Sequence, residues 1–289
     1  MKSIVSYPER GEWGNNKYRG NATGKLLLDL HEVYKFEEIS DYMAGSFTTK
    51  DVALDLNIQS NCYDLNSGFD LMTADIQERN DFIYWHPPYW DIIKYSGYQY
   101  GDKPLDNDLS HIADYDKFIK AINYCLAKQY ASLDVGGRIA ILMADVKKNK
   151  KLYSMLLDMN KLGTTEQIII KEQHNCMSDK RRYFNNNFIR INHEYCLILR
   201  KDYPMIMDFS TIRKGKMDIR DSVNITWKDL IASSLEELGG KTSLSNLYEF
   251  LNGYKKTNSN VNWKAKVRQT LQIHPNLFNK LDRGVWALN

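Results

Sequence analysis

The sequence predicts an α/β fold with a mostly parallel sheet, followed by a small basic domain of helices and a hairpin. Three observations predict it. Strand-like and helix-like segments alternate from about residue 22 to residue 201, as they do where helices cover a parallel sheet. The loops with the most unusual residues all follow strands, and in such sheets ligands bind beyond the strands' carboxyl ends. Charge also divides along the chain. Residues 211–289 hold 13 Lys and Arg against 7 Asp and Glu, a net of +6, which leaves −3 on residues 1–210 within the overall +3.

A chain of 289 residues, 43% apolar, can bury the core of a large domain plus a small one. Cysteines 62, 125, 176 and 196 form no CxxC pair, so neither a zinc site nor a redox motif is expected. The N-terminal MKSIVSYPERGEWG has no apolar h-region, and no apolar run is long enough to span a membrane. Together these predict reduced cysteines in a cytoplasmic protein, associated with the nucleoid if the basic tail meets nucleic acid.

In order, GNATGKLLLDLHEVYKF reads as a helix with Leu26, Leu30 and Val33 on one stripe. EEISDYMAG is a strand ending in small residues, TTKDVALDL a helix, and SNCYDLN a strand ending in an acid. DFIYW is a buried strand. YDKFIKAINYCLAKQYASL is a long helix with Phe118, Ile122, Cys125 and Leu126 inward. GGRIAILMAD is a strand, KLYSMLLDMNKLG a helix stopped by Gly163, and EQIIIKEQ and EYCLILRK are two more strands. The sequence thus predicts a catalytic domain over 1–201, a linker over 202–224, and a compact domain over 225–289. In the last, Thr226 caps a helix that ends at Gly239–Gly240. A second helix carries Leu244, Leu247 and Leu251. A third buries Trp263, Val267 and Leu271 and exposes Lys264, Lys266 and Arg268, and a hairpin turns at 282–284. Three helices and a hairpin resemble a winged helix, whose basic third helix would enter the major groove of DNA.

The stretch HPPYW, residues 86–90, poses the chemical question. Pro-Pro cannot continue a central strand. The strand therefore stops at a rigid corner that presents His86, Pro87, Pro88, Tyr89 and Trp90. HPPYW resembles the (D/N/S)PPY motif of the DNA amino-methyltransferases, which methylate the exocyclic nitrogen of adenine or cytosine. DYMAGSFTT resembles that family's S-adenosylmethionine loop, DLNSGFDL and ADI its next two turns, and RGNATGKLLLDL its N-terminal cofactor segment. The resemblance covers roughly residues 18–201 and implies a Rossmann-like class I methyltransferase fold with a seven-stranded mixed sheet.

By that resemblance, S-adenosyl-L-methionine would be held by Asn21, Thr23, Asp41, Met43, Ala44, Gly45, Ser46, Phe47, Thr48, Asp64, Leu65, Asp75 and Ile76. Asp41 would sit near the methionine amino group, Asp64 at the ribose, and Asp75 and Ile76 at the adenine. His86 and the carbonyl of Pro87 would accept from the amine of a flipped-out base, and Tyr89 would stack on it. Trp85, Trp90 and Tyr95 are candidate walls, Trp85 with the stronger claim to the core. Lys180, Arg181 and Arg182, in a basic, aromatic loop, are candidate DNA contacts with Lys264, Lys266 and Arg268. No metal is implied. The partner implied is DNA, and a companion restriction or defence component is admitted.

Two departures stand out. Phe47 replaces the family's usual second glycine and is expected to narrow the cofactor pocket. His86 replaces Asp, Asn or Ser, and removes the usual clue to the base. A histidine acceptor must be neutral, so activity should fall at low pH. Residues 95–116 read as a mobile loop over the site. The expected function is methylation of adenine N6, with cytosine N4 the alternative. A catalytically inactive methyltransferase-fold DNA-binding protein is the alternative of another class.

Overall fold

The computed structural model describes residues 1–174, 189–204, 209–210 and 218–289. The chain divides into two compact units, 1–212 and 213–289.

Unit 1 runs β1 (Ile4–Ser6), α1 (Gly24–Tyr34), β2 (Glu38–Asp41), α2 (Thr48–Leu56), β3 (Gln59–Cys62), β4 (Asn80–Trp85), α3 (Tyr115–Ser132), β5 (Leu133–Met143), β6 (Asp145–Lys148), β7 (Lys151–Ser154), α4 (Met155–Asp158), β8 (Lys161–Leu162), β9 (Thr164–Glu172), β10 (His193–Arg200) and β11 (Phe209–Ser210). Seven strands form one sheet in the order β1-β9-β10-β5-β4-β2-β3. All neighbours are parallel except β10, which runs against both β5 and β9. This is a Rossmann-like mixed sheet, as expected.

Successive strand residues face opposite sides, so a sheet covered on both faces needs unbroken apolar strands. Phe82, Tyr84, Ala140, Leu142, Cys196 and Ile198 pack with Leu26, Leu27, Leu30, Val52 and Ala53 of α1 and α2. Their neighbours Ile83, Trp85, Ile139, Ile141, Leu197 and Leu199 pack with Phe118, Ile122, Cys125 and Leu126 of α3. The chain leaves β2 outward to β3 and then returns to β4 on β2's other side. That reversal opens a crevice at the carboxyl ends of β2 and β4.

Three local expectations change. On α1 the inward stripe is Leu26, Leu27 and Leu30, and Val33 is 49% exposed. The expected helix over 151–163 is broken into a hairpin strand, one helical turn and a short strand. Lys151–Ser154 pair with Asp145–Lys148, and only Met155–Asp158 are helical, capped by Ser154. Its leucines and methionines mimic a helical stripe, but Tyr153 is claimed by rings of Trp90 and Tyr115 at 4.9 and 4.7 Å. The loop after β4 is held, not loose. Asp108 accepts from the backbone and hydroxyl of both Ser96 and Ser110, and Ser96 Oγ accepts from the Leu105 amide.

Unit 2 runs α5 (Trp227–Glu237), β12 (Lys241–Ser243), α6 (Leu244–Leu251), α7 (Lys255–Asn258), α8 (Trp263–Ile273), β13 (Phe278–Asp282) and β14 (Val285–Leu288), with a sheet ordered β12-β14-β13. Thr226 caps α5 by accepting from the Asp229 amide. Leu230, Ile231, Leu235, Leu247, Leu251, Val267, Leu271 and Phe278 form a core of its own.

Candidate active site

The crevice is a pocket with about 790 Å³ of open space, counting its mouth. Four carboxylates line it: Asp41 ends β2, Asp64 follows β3, and Asp70 and Asp108 come from loops. Such a lining favours a cationic ligand. Asp64 does two things at once. Its oxygens accept from the amides of Gly45 (2.9 Å) and Asn66 (2.9 Å), capping the turn at 65–67, while its side chain borders the pocket. Asp41 is buried and accepts from Thr49 Oγ1 (2.6 Å) and the Met43 amide (3.1 Å). Burial raises its carboxyl to about 7, against those hydrogen bonds.

Met43, Ala44, Gly45, Ser46 and Thr48 carry the backbone from β2 into α2 along the pocket. Gly45 has φ +50, and a Cβ there would meet Tyr18 at 3.1 Å, so a side chain at this position would push that ring away. Asn21 Oδ1 accepts from Ser46 and Thr48 and pins the N-terminal segment onto the loop. Arg19 and Gln99 exchange two hydrogen bonds, and rings of Tyr18, Tyr95 and Tyr100 stack in a row along the pocket. Tyr84 also lines it, its buried hydroxyl without a partner among the described residues.

His86 borders this pocket and a second, larger cleft. That cleft is lined by Arg10, Arg19, Lys147, Lys171 and Arg190, with Asp145, Glu172 and Glu194. Pro88 faces the acidic pocket, and Pro87 and Tyr89 face the cleft. Tyr95 borders both. Burial pushes the His86 ring down to about 4, with the Glu194 carboxylate working the other way. The ring is thus neutral well below pH 6, and the expected acid loss of activity moves to lower pH.

Several predicted positions fall elsewhere. Trp90 is a buried anchor, not a wall. Its φ is +53, its indole donates to the Ile112 carbonyl, and it packs on Tyr115. Trp85 is fully buried. Thr23 caps α1 and borders the cleft, not the acidic pocket. Asp75 is exposed and Ile76 packs on the α3-side core; neither lines the pocket, and Asp70, Leu71 and Met72 take that place. Leu65 lines the pocket as expected from the acidic turn. Phe47 does not line it. The residue sits at φ +61, ahead of α2, a conformation that suits the glycine it replaces. Lys180, Arg181 and Arg182 lie outside the described residues. On unit 2, Lys264 and Arg268 are exposed on α8 and converge on Tyr248: Lys264 lies over its ring at 5.5 Å and Arg268 donates to its hydroxyl at 3.0 Å. Lys266 donates to Gln269 at 2.9 Å. Among the described residues no three His, Cys, Asp or Glu side chains cluster to hold a metal ion, and no helix is long and apolar enough to cross a membrane.

No protein-family model matches the chain, and no curated protein matches it by sequence. Solved structures are similar in fold. One is a candidate DNA modification methylase from Thermus thermophilus, 17% identical over 67% of this chain and 62% of that one, with a TM-score of 0.28. TrmN from Thermus thermophilus is 14% identical over 63% of this chain and 50% of its own, with a TM-score of 0.34. An rRNA methylase from Streptococcus thermophilus is 14% identical over 60% and 97%, with a TM-score of 0.29. This chain spans less than two thirds of the first two. At these identities and TM-scores the likeness carries no functional information.

Proposed function

We propose that the protein is an S-adenosylmethionine-dependent DNA methyltransferase acting on an exocyclic amine, adenine N6 first and cytosine N4 as the alternative. One observation carries this: His86 stands where an acid-lined pocket and a basic cleft meet. A cationic methyl donor and a polyanion would bring their reacting atoms together there.

The residues present suit the cofactor. Four carboxylates match a sulfonium and an ammonium, Gly45 carries the loop along the pocket, and Tyr84 offers a hydroxyl with no partner among the described residues. Asp64 would hold the ribose hydroxyls and Asp41 the amino group, with Asp70 and Met72 at the adenine. When bound, S-adenosylmethionine supplies an electrophilic methyl group. The chain's own part is to orient the amine. An exocyclic amine is a poor nucleophile because its lone pair is delocalised into the ring. Acceptors at His86 and the Pro87 carbonyl would draw the N–H groups and free that lone pair. Tyr89 and Tyr95 border the space where a flipped base would stack.

Unit 2, with three main helices and a β13–β14 hairpin, is read as a winged-helix-like DNA-binding domain. Lys264, Lys266 and Arg268 on α8 would face phosphates. The reading of an inactive scaffold leaned on Phe47 and His86; Phe47 lies outside the pocket's lining, and His86 borders it.

The experiment is incubation with methyl-tritiated S-adenosylmethionine and unmodified DNA, then nucleoside chromatography. Label in N6-methyladenine or N4-methylcytosine supports the reading and chooses the base. Absence of label, together with no cofactor binding by calorimetry, overturns it.

A further inference from the structure

A buried polar chain ends at the HPPYW corner. His86 Nε2 lies 2.8 Å from Tyr89 Oη, Tyr89 Oη donates to Glu194 Oε1 at 2.6 Å, and Lys171 Nζ donates to Glu194 Oε2 at 2.6 Å. Glu194 and Lys171 are register partners on β10 and β9, and their side chains are only 8% and 11% exposed.

The proton positions follow from counting donors. Burial alone would raise the Glu194 carboxyl, but the Lys171 ammonium, the charge His86 takes up in acid and the hydrogen bonds from Lys171 and Tyr89 together hold the pKa below its ordinary value. Glu194 is therefore ionised and can only accept. Tyr89 has one hydroxyl proton, and it goes to Glu194. The Tyr89 oxygen then offers His86 a lone pair, so Nε2 must carry the ring proton. A neutral imidazole protonated at Nε2 is bare at Nδ1. Among the described residues Nδ1 has no hydrogen-bond partner. Nδ1 stands one bond beyond Cγ, as Oδ1 does in Asp or Asn, so the bare nitrogen occupies the acceptor position of an Asp or Asn side chain.

We propose that Glu194 and Lys171 are positioning residues, acting through Tyr89 to fix His86 as its Nε2–H tautomer, so that the Nδ1 lone pair accepts the hydrogen bond and then the proton of the exocyclic amine. The inference rests on the amine-methylating reading above. Once the nitrogen has been methylated it is cationic. Its N–H bond breaks, the bonding pair stays on nitrogen, and the proton passes to Nδ1. The resulting imidazolium has the Glu194 carboxylate one hydroxyl away, and it releases the proton to water when the product leaves.

The test reads the tautomer directly, without cofactor or DNA. Full-length protein labelled with ¹⁵N-histidine is examined by long-range ¹H–¹⁵N correlation at neutral pH, with the His86 signals assigned by their loss in His86→Asn. Wild type should show Nε2 protonated and Nδ1 bare. Glu194→Gln, which keeps an oxygen for Tyr89, should retain that pattern. The paired variant Lys171→Met with Glu194→Leu replaces the ion pair by apolar groups of similar size, a swap that buried pairs often tolerate. There the Tyr89 hydroxyl is free to donate to Nε2, and the ring should flip to Nδ1–H. Turnover of the flipped variant should fall about 100-fold, the range for losing one general base, with KM for DNA within about twofold. Wild type protonated at Nδ1, or a paired variant whose tautomer does not move, overturns the positioning role. A flipped ring with full turnover overturns the proton-accepting role. Because the tautomer is read without reaction, a protein that methylates no DNA would sink the parent reading and leave the tautomer result standing.

Discussion

The acid-lined pocket and the basic cleft share His86, Asn21 and Tyr95, yet they are built by different means. The pocket's carboxylates are each fixed by backbone amides or hydroxyls close by, as Asp64 is by Gly45 and Asn66, and Asp108 by Ser96 and Ser110. Hydrogen bonds between the loops at the strand ends therefore set its shape, joining segments 12 to 25 residues apart. The cleft draws on distant segments: Arg10 before α1, Lys147 on β6, Lys171 on β9 and Glu194 on β10. Its shape depends on the sheet, and on β10 running antiparallel. That reversal brings the first residues of β10 to the same edge as the last residues of β4 and β9.

The sharpest way to break this division is a change that crosses it. Tyr89→Ala faces the cleft and should cut turnover about 100- to 1,000-fold while S-adenosylmethionine binding by calorimetry stays within about twofold; a parallel loss of cofactor would erase the boundary. Asp64→Ala should do the reverse. Lost charged hydrogen bonds of about 3 kcal/mol raise the cofactor Kd about 100-fold, with DNA affinity unchanged in a gel-shift titration. Replacing Lys264, Lys266 and Arg268 together by Ala should flatten the log–log salt dependence of DNA binding by about 3 and leave the cofactor Kd alone; an unchanged slope removes unit 2 from the interface.

Smaller effects probe the pocket itself. Asp41, raised to about 7 by burial, must be ionised to pair with the ligand's ammonium. Below pH 7 it must first give up a proton, so the cofactor Kd should fall by about tenfold between pH 6 and pH 8. Asp41→Asn should be flat over that range, and a flat wild-type curve would take Asp41 out of the contact. Smallest of all, Phe47→Gly relieves a left-handed residue of about 1 kcal/mol and should leave the cofactor Kd within about twofold. A large gain in affinity would mean that the ring does obstruct the pocket.

Much of the pocket was legible in the sequence because its residues sit where the strands read in EEISDYMAG, SNCYDLN and DFIYW end. The HPPYW corner could be read because proline forbids the alternatives. Asp70 was misplaced as Asp75 because residues 66–79 have no period, so nothing in the spacing fixes which acid faces inward. The 151–163 helix failed for the opposite reason. Its apolar spacing fits a helix, but pairing with β6 won. Glu194 and Lys171 were invisible as a site. Each reads as the charged end of an apolar strand, and only the register of β9 against β10 joins them. The one available signal was that each lies in the same alternate set as buried neighbours, Glu194 with Cys196 and Lys171 with Ile169, where a lone charge is costly unless it is paired.

The Arg19–Gln99 exchange and the row formed by Tyr18, Tyr95 and Tyr100 also bear on timing. Residues before the chain's first helix and after its HPPYW corner are laced together beside the acidic pocket, so a ligand that passes beneath them must unlace them. If exchange takes that route, it proceeds at the rate of an opening motion and not of diffusion. If that opening is slower than the chemistry, the first turnover of a preloaded protein is faster than every one that follows.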